Sequence, residues 1–247
     1  MTYQFTLSPD LSTRYLSGWY VFNTWMQRVL GEKIHLELHE DFERCRSAVK
    51  AGQVDLIFAN PYDASMLVRD HGFLPVAHPK GRPDEVVIAV PADSTVRRIE
   101  DLKPGARIAS STDPEVNVIG MIMLEPADLN RGDISLVECD TYIHVAKHLI
   151  RHEADAGFFM ADSFHELSEL TRRSLRVLLQ SRIHVIHHML LAGPRMAGIV
   201  ASLQQAVVEL ANSDKGKAIQ RDLGFEGWLR TDTEEAEFMV DLMETLT

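Results

Sequence analysis

Val54-Asp55-Leu56-Ile57-Phe58-Ala59-Asn60-Pro61-Tyr62-Asp63 is the stretch that decides the fold of this chain. Its apolar run shows no polar alternation, which suits a central strand covered on both faces. Asn60 is a good helix cap and Pro61 is suited to the first helical position, so a helix over residues 64–70, closed by Gly72, should follow directly. A buried strand running into a helix is the repeating unit of an α/β sheet. The turn between the two lies at the strand's carboxyl end, where open α/β sheets bind ligands.

Working outward, residues 3–7 read as a strand and 17–30 as a helix stopped by Gly31. Residues 34–38 alternate as a second strand, and 42–50 form a helix ending near Gly52. Downstream, 86–90, 106–110, 154–159 and 176–179 read as strands separated by helical patterns, 183–191 as a returning strand, and 194–211 as a helix before two further short helices. The expected architecture is α/β with largely parallel sheets in two lobes, 1–80 plus 187–247 and 81–186. Crossings near 79–86 and 181–190 would form a hinge between them.

Composition narrows the function. The chain has 247 residues, 45% apolar and 25% charged, enough for a sizeable core. A formal net charge of −11 with no basic stripe argues against a nucleic-acid partner. The two cysteines, Cys45 and Cys139, show no metal-ligand spacing and read as ordinary thiols; a disulfide between them would need an oxidising compartment. No cofactor motif is present, and neither GxSxG, HExxH, GxGxxG after a strand nor a Walker loop occurs. The start, Met1 to Leu7, reads as neither a secretory signal nor an anchor. Either a signal was removed, or the protein is cytoplasmic if the chain is complete as given.

Three groups of residues could form a site. Asn60 and Tyr62 wall the turn already described, the tyrosine offering a ring face and a hydroxyl. Ser111 and Thr112 follow a strand, and Glu115 and Asn117 open the next helix, where Asp113 and Glu115 would stabilise the helix start and repel a phosphate-like group. Thr141 can cap a helix to about Arg151, with Tyr142 and His144 in its first turn. His144, His148 and His152 recur at i, i+4, i+8, but Ile143, Ala146, Leu149 and Ile150 read as the buried face, so the histidines are expected on a solvated one without a metal. His184, His187 and His188 are expected as structural histidines alternating along the returning strand.

Three motifs, in this order and spanning nearly the whole chain, carry a family likeness. They are Ala51-Gly52-Gln53-Val54-Asp55-Leu56 before Asn60-Pro61-Tyr62, then Glu153-Ala154-Asp155-Ala156-Gly157-Phe158, then Leu223-Gly224-Phe225-Glu226-Gly227-Trp228. With them the chain resembles the phosphate/phosphite/phosphonate-binding proteins of ABC transporters, a branch of the type II periplasmic binding fold. The resemblance implies a small-molecule ligand held between lobes, with an ABC transporter permease or a sensor protein as partner. It places one aromatic contact on Tyr62, with Asn60 beside it, and a second on Phe42. The family's Ser-Thr-Ser-Gly anion cradle follows an Asp-Pro matched by Asp113-Pro114, but this chain continues Glu115-Val116-Asn117-Val118-Ile119-Gly120; a family histidine falls on Tyr142. An acid in place of hydroxyls suits a less charged, zwitterionic or amine-bearing solute better than a bare phosphonate.

The expected ligand-binding set is Phe42, Asn60, Tyr62, Ser111, Thr112, Glu115, Asn117, Tyr142, His144 and Asp162. The rival expectation is a cytoplasmic enzyme of the same fold, since menaquinone-pathway enzymes resemble these binding proteins; His144 or Tyr142 would then be its acid/base groups.

Overall fold

The computed structural model describes residues 2–246; residues 1 and 247, the outer ends of the first expected lobe, lie outside them. The chain divides into two compact units, one holding the chain up to Pro83 and again from Val185 to Thr245, the other the intervening Asp84–His184. Among the described residues, no helix is long and apolar enough to cross a membrane.

The first unit is built on β1 (Thr2–Leu7), β2 (Lys33–Leu36), β3 (Leu56–Ala59) and β4 (Leu74–Pro79), linked by α1 (Leu16–Leu30), α2 (Phe42–Lys50) and α3 (Pro61–His71). The second contains β5 (Val86–Pro91), β6 (Ala106–Ser111), β7 (Ile134–Cys139), β8 (Ala156–Met160) and β9 (Leu175–Gln180), with α4 (Pro114–Ile122), α5 (Tyr142–Ile150), α6 (Ala161–Glu166) and α7 (Glu169–Arg173). The chain then returns to the first unit with β10 (Met189–Ala192), α8 (Val200–Val208), α9 (Asp214–Leu223), β11 (Trp228–Arg230) and α10 (Thr233–Leu246). Left-handed Gly31 (φ 69°) and Gly72 (φ 65°) end α1 and α3, and Asn60 caps α3 with Pro61 at its first turn.

The sheet of the first unit has the order β11-β4-β10-β3-β1-β2. β1 runs parallel to β2 and β3, but β10 is antiparallel to both β3 and β4, and β11 is antiparallel to β4. The second sheet, β7-β6-β8-β5-β9, is parallel around β6 and antiparallel around β5. The sheets are therefore mixed, which corrects the expectation of largely parallel ones. β3 and β4 point the same way, and the returning β10 fills the slot between them in the opposite direction.

Strand β3 is continuously apolar because it serves two cores. Leu56 and Phe58 join one cluster with Phe5, Trp19, Phe22 and Trp228, while Ile57 and Ala59 join another with Cys45, Leu67 and Met239. In the second unit, Val87, Ala89 and Phe159 pack with Val145 and Leu149 of α5. Alternation turns the neighbouring, fully buried Phe158 to the opposite face, under Gly120 of α4.

Three further expectations are corrected. Residues 183–188 are irregular, and only Met189–Ala192 is strand, so the histidines there do not alternate; His184 even has φ 62°. Helix 194–211 is instead a 3-10 turn, α8 and a second 3-10 turn. The buried face of α5 is Val145, Ala146 and Leu149, whereas Ile143 is 61% and Ile150 41% exposed. Both cysteines are buried and free, and burial pushes the Cys45 thiol up to about 12.

Candidate functional site

In the first unit, polar groups collect at the carboxyl ends of β1 and β3. Asn60 is fully enclosed and organises them. Its Oδ1 accepts the Asp63 backbone N–H at 2.7 Å, and its Nδ2 donates to Ser8 Oγ at 3.0 Å and Asp63 Oδ2 at 3.2 Å. Arg46, on α2, donates from Nε to Asp63 Oδ1 at 2.6 Å. Its guanidinium carbon lies 5.4 Å from the ring centroid of Phe42 and 5.4 Å from that of Tyr62, within cation–π range of both. Phe42, Asn60 and Tyr62 are thus brought together around an arginine that the sequence reading missed. The available signal was its i+4 spacing from Phe42 on one helix. Burial pushes the Asp63 carboxyl up, and the hydrogen bond and charge of Arg46 pull it back.

His187 and His188, just before β10, belong to the same unit. His188 meets Asp10 at 3.0 Å through Nε2, and its ring stacks on Phe58 with centroids 5.4 Å apart. His187 stacks on His78 with centroids 3.9 Å apart and planes 14° from parallel, and His78 Nδ1 lies 2.8 Å from Thr231 Oγ1. Burial, and then the neighbouring His78, lower His187 from 6.5 to about 4; burial also lowers His78, with Glu235 opposing.

This lowering makes stability pH-dependent with a definite sign. Above pH 6.5 His187 is neutral whether folded or unfolded. As the pH falls from 6.5 toward about 4, the unfolded chain takes up a proton that the folded chain refuses, so stability is lost across that window. The expected loss is about 2 to 3 kcal/mol. Urea unfolding of the wild type and His187→Phe at pH 7 and pH 4.5 checks this: the wild type should lose more between the two pH values, and equal losses would refute it.

In the second unit, the corresponding strand ends are those of β6 and β8. Ser111 ends β6, and Asn117 donates from Nδ2 to the carbonyls of Ser111 and Asp113, both at 2.9 Å, so its amide locks the turn into α4. Asp113 precedes α4, but its carboxylate makes no capping bond. It accepts instead from the Tyr142 hydroxyl, so Asp113 bears on the helix start by its charge and not by a capping bond. Thr141 Oγ1 accepts the His144 backbone N–H, and the Tyr142 ring stacks on Phe159 with centroids 6.0 Å apart. Burial and Asp113 hold the Tyr142 hydroxyl well above its usual range, so it acts as a donor and not as a base.

Ser111, Asp113, Asn117 and Tyr142 are therefore brought together, with Glu115 enclosed in the same helix turn. Thr112 is exposed, and Asp162 is half-buried in the first turn of α6. His144 faces Asp140 at 3.9 Å, His148 faces Glu153 at 2.8 Å, and His152 faces Asp93 at 3.5 Å. The i, i+4, i+8 histidines are thus directed at three separate carboxylates.

Where the chain leaves and re-enters the second unit, buried Glu85 ties the two segments together. Its carboxylate accepts from the Ser181 hydroxyl, from Ile183 N at 3.1 Å and from His184 N at 2.9 Å, while Ser181 Oγ accepts from Val86 N at 2.9 Å.

The family model described as "ABC transporter, phosphonate, periplasmic substrate-binding protein" matches residues 5–236. Among solved structures, PhnD1 of Prochlorococcus marinus in complex with methylphosphonate is similar with a TM-score of 0.82 at 11% identity, covering 99% of this chain and 98% of that one. XAC2383 of Xanthomonas citri bound to ATP gives a TM-score of 0.78 at 14% identity, with 99% and 98% covered. The periplasmic aliphatic sulphonate binding protein SsuA of Escherichia coli gives 0.71 at 15% identity, with 99% and 92% covered. No curated protein matches the chain by sequence.

Proposed function

Since this chain belongs to the family of phosphonate periplasmic substrate-binding proteins of ABC transporters, we propose that it captures a small polar, amine-bearing solute in the periplasm and delivers it to a transporter permease. The observation that carries the ligand reading is the acidic turn of the second unit. Asp113 is 6% exposed and Glu115 0%, and they stand where the resemblance expects hydroxyl donors for an anion. Buried carboxylates favour a positive partner. Phe42, Asn60 and Tyr62 in one unit, and Ser111, Thr112, Glu115, Asn117, Tyr142, His144 and Asp162 in the other, are the proposed contact residues. Asn117 serves by holding its turn and Tyr142 by holding the Asp113 carboxylate through its hydroxyl.

A thermal-shift panel tests this reading, because a solute that binds only the folded state raises stability with its concentration over Kd. Amine-bearing solutes should raise Tm, and Glu115→Gln should weaken them by about 30-fold or more, the loss typical of removing one partner of an enclosed charge pair. A panel in which only phosphate-like anions without an amine stabilise the protein would sink the amine reading.

A further inference from the structure

Strand β9 closes one edge of the second unit's sheet: it pairs with β5 on one side and with no described strand on the other. Its register with β5 shifts between Ile88 and Ala89, so that Leu178 is skipped. Such a bulge spoils an edge for the addition of another strand. It accounts for the missing neighbour but not for the side chains gathered there. Leu170 of α7, just ahead of β9, is 79% exposed, and Val177 and Leu179 on the strand are 42% and 38% exposed.

Positive charge is gathered with them. The chain carries −11 overall, yet residues 169–184 hold Arg172, Arg173, Arg176 and Arg182 against one carboxylate, Glu169. Arg173 takes Glu169, and Arg176 donates from Nη2 to the carbonyls of Ser94 (3.1 Å) and Val96 (2.6 Å), which brings Arg97 beside the strand. Arg97, Arg172 and Arg182 are exposed and make no ion pair among the described residues. Arg172 and Arg182 stand beyond opposite ends of β9, so roughly 20 Å of apolar edge lies between two free guanidinium groups.

We infer that this edge of the second unit is a docking surface for an anionic phospholipid membrane. A guanidinium matches the paired oxygens of a lipid phosphate, and exposed leucine and valine between arginines can enter the headgroup layer. Two other occupants fit less well. Antiparallel pairing of β9 with itself would set Arg172 of each copy near Arg182 of the other, and the bulge at Leu178 opposes an extended acidic segment. The inference goes beyond the proposed function and is independent of which solute is bound.

The test is co-sedimentation of the full chain with vesicles of phosphatidylcholine alone and of phosphatidylcholine mixed with phosphatidylglycerol. The wild type should bind the mixed vesicles only, and raised salt should release it. Arg172→Glu with Arg182→Glu should weaken binding by about 25-fold, and Leu170→Ser by about 5-fold, with Tm unchanged in both. Arg28→Glu with Lys33→Glu, exposed positions of the first unit, makes the same change in net charge and should leave binding within about twofold of wild type. A control pair that weakens binding as much as the edge pair overturns the inference, because net charge alone is then at work. So does a wild type that ignores both vesicles, or a Leu170→Ser protein that binds like wild type. Self-association of the wild type that the edge pair abolishes would assign the face to a second copy, and tighter binding of a soluble polyglutamate than of vesicles would assign it to an acidic protein; either result also overturns it.

Discussion

Replacing Trp19 with alanine is expected to cost about 3 to 5 kcal/mol, a large part of the stability of an ordinary domain. The ring is 2% exposed and sits at the centre of an aromatic cluster. Its centroid lies 4.6 Å from Phe58, 5.6 Å from Phe22, 6.1 Å from Phe5 and 6.2 Å from Trp228. These neighbours come from β3, α1, β1 and β11, so strand register prevents them from collapsing into the vacated space. The cavity term therefore adds to the lost transfer energy. Phe58 also carries the stacked His188 and leads through Ala59 into Asn60, which links this packing to the site. Thermal unfolding should show Tm lower by roughly 10 °C. Trp25, partly buried and stacked on Phe22 alone among the aromatic pairs, is the control. A Trp19→Ala protein that loses no more than Trp25→Ala would sink the account.

Gly120→Ala is expected to destabilise the second unit by about 2 to 4 kcal/mol, at the upper end for overpacking. A Cβ there would lie 2.5 to 2.7 Å from the ring carbons of Phe158, which is wholly buried and cannot swing away. The relief available is for α4 to lift from β8, and α4 carries Glu115 and Asn117 in its first turns. Solute affinity should fall together with Tm. Phe158→Leu, damaging alone, should be less so beside Gly120→Ala, since the smaller side chain makes room for the methyl; a double mutant as unstable as the sum of the two single ones would refute this.

Local signals made one side of the site readable. Asn60, Pro61 and the closing Gly72 mark the turn at the end of β3, and the helix over 42–50 was found at its true bounds because both of its ends carry caps. What failed depended on contacts distant in sequence. β4 was missed because Pro75 and Pro79 argue against a strand; it is tolerated where the register of β10 shifts between Leu190 and Leu191, the residue paired with Pro75. β7 was missed because an edge strand keeps few buried residues, here Cys139 alone. The apolar run toward Leu191 suggested a longer strand, whereas His184 to His188 are held by Glu85, Asp10 and His78 instead of a ladder. Arg46 gave no motif at all, since its role arises from Phe42, Tyr62 and Asp63 meeting in space.

The place of β10 between β3 and β4 has a consequence for biogenesis. As the chain leaves the ribosome, every strand of the second unit has emerged by Gln180, so that unit can close while synthesis continues. The first unit is left with a gap in its sheet until residues 189–192 arrive, and β11 is still later. During that interval the apolar strand Leu56–Ala59 has one unpaired edge, open to pairing with other chains. The unit made first is the one completed last, and its nascent form is where a chaperone has most to do.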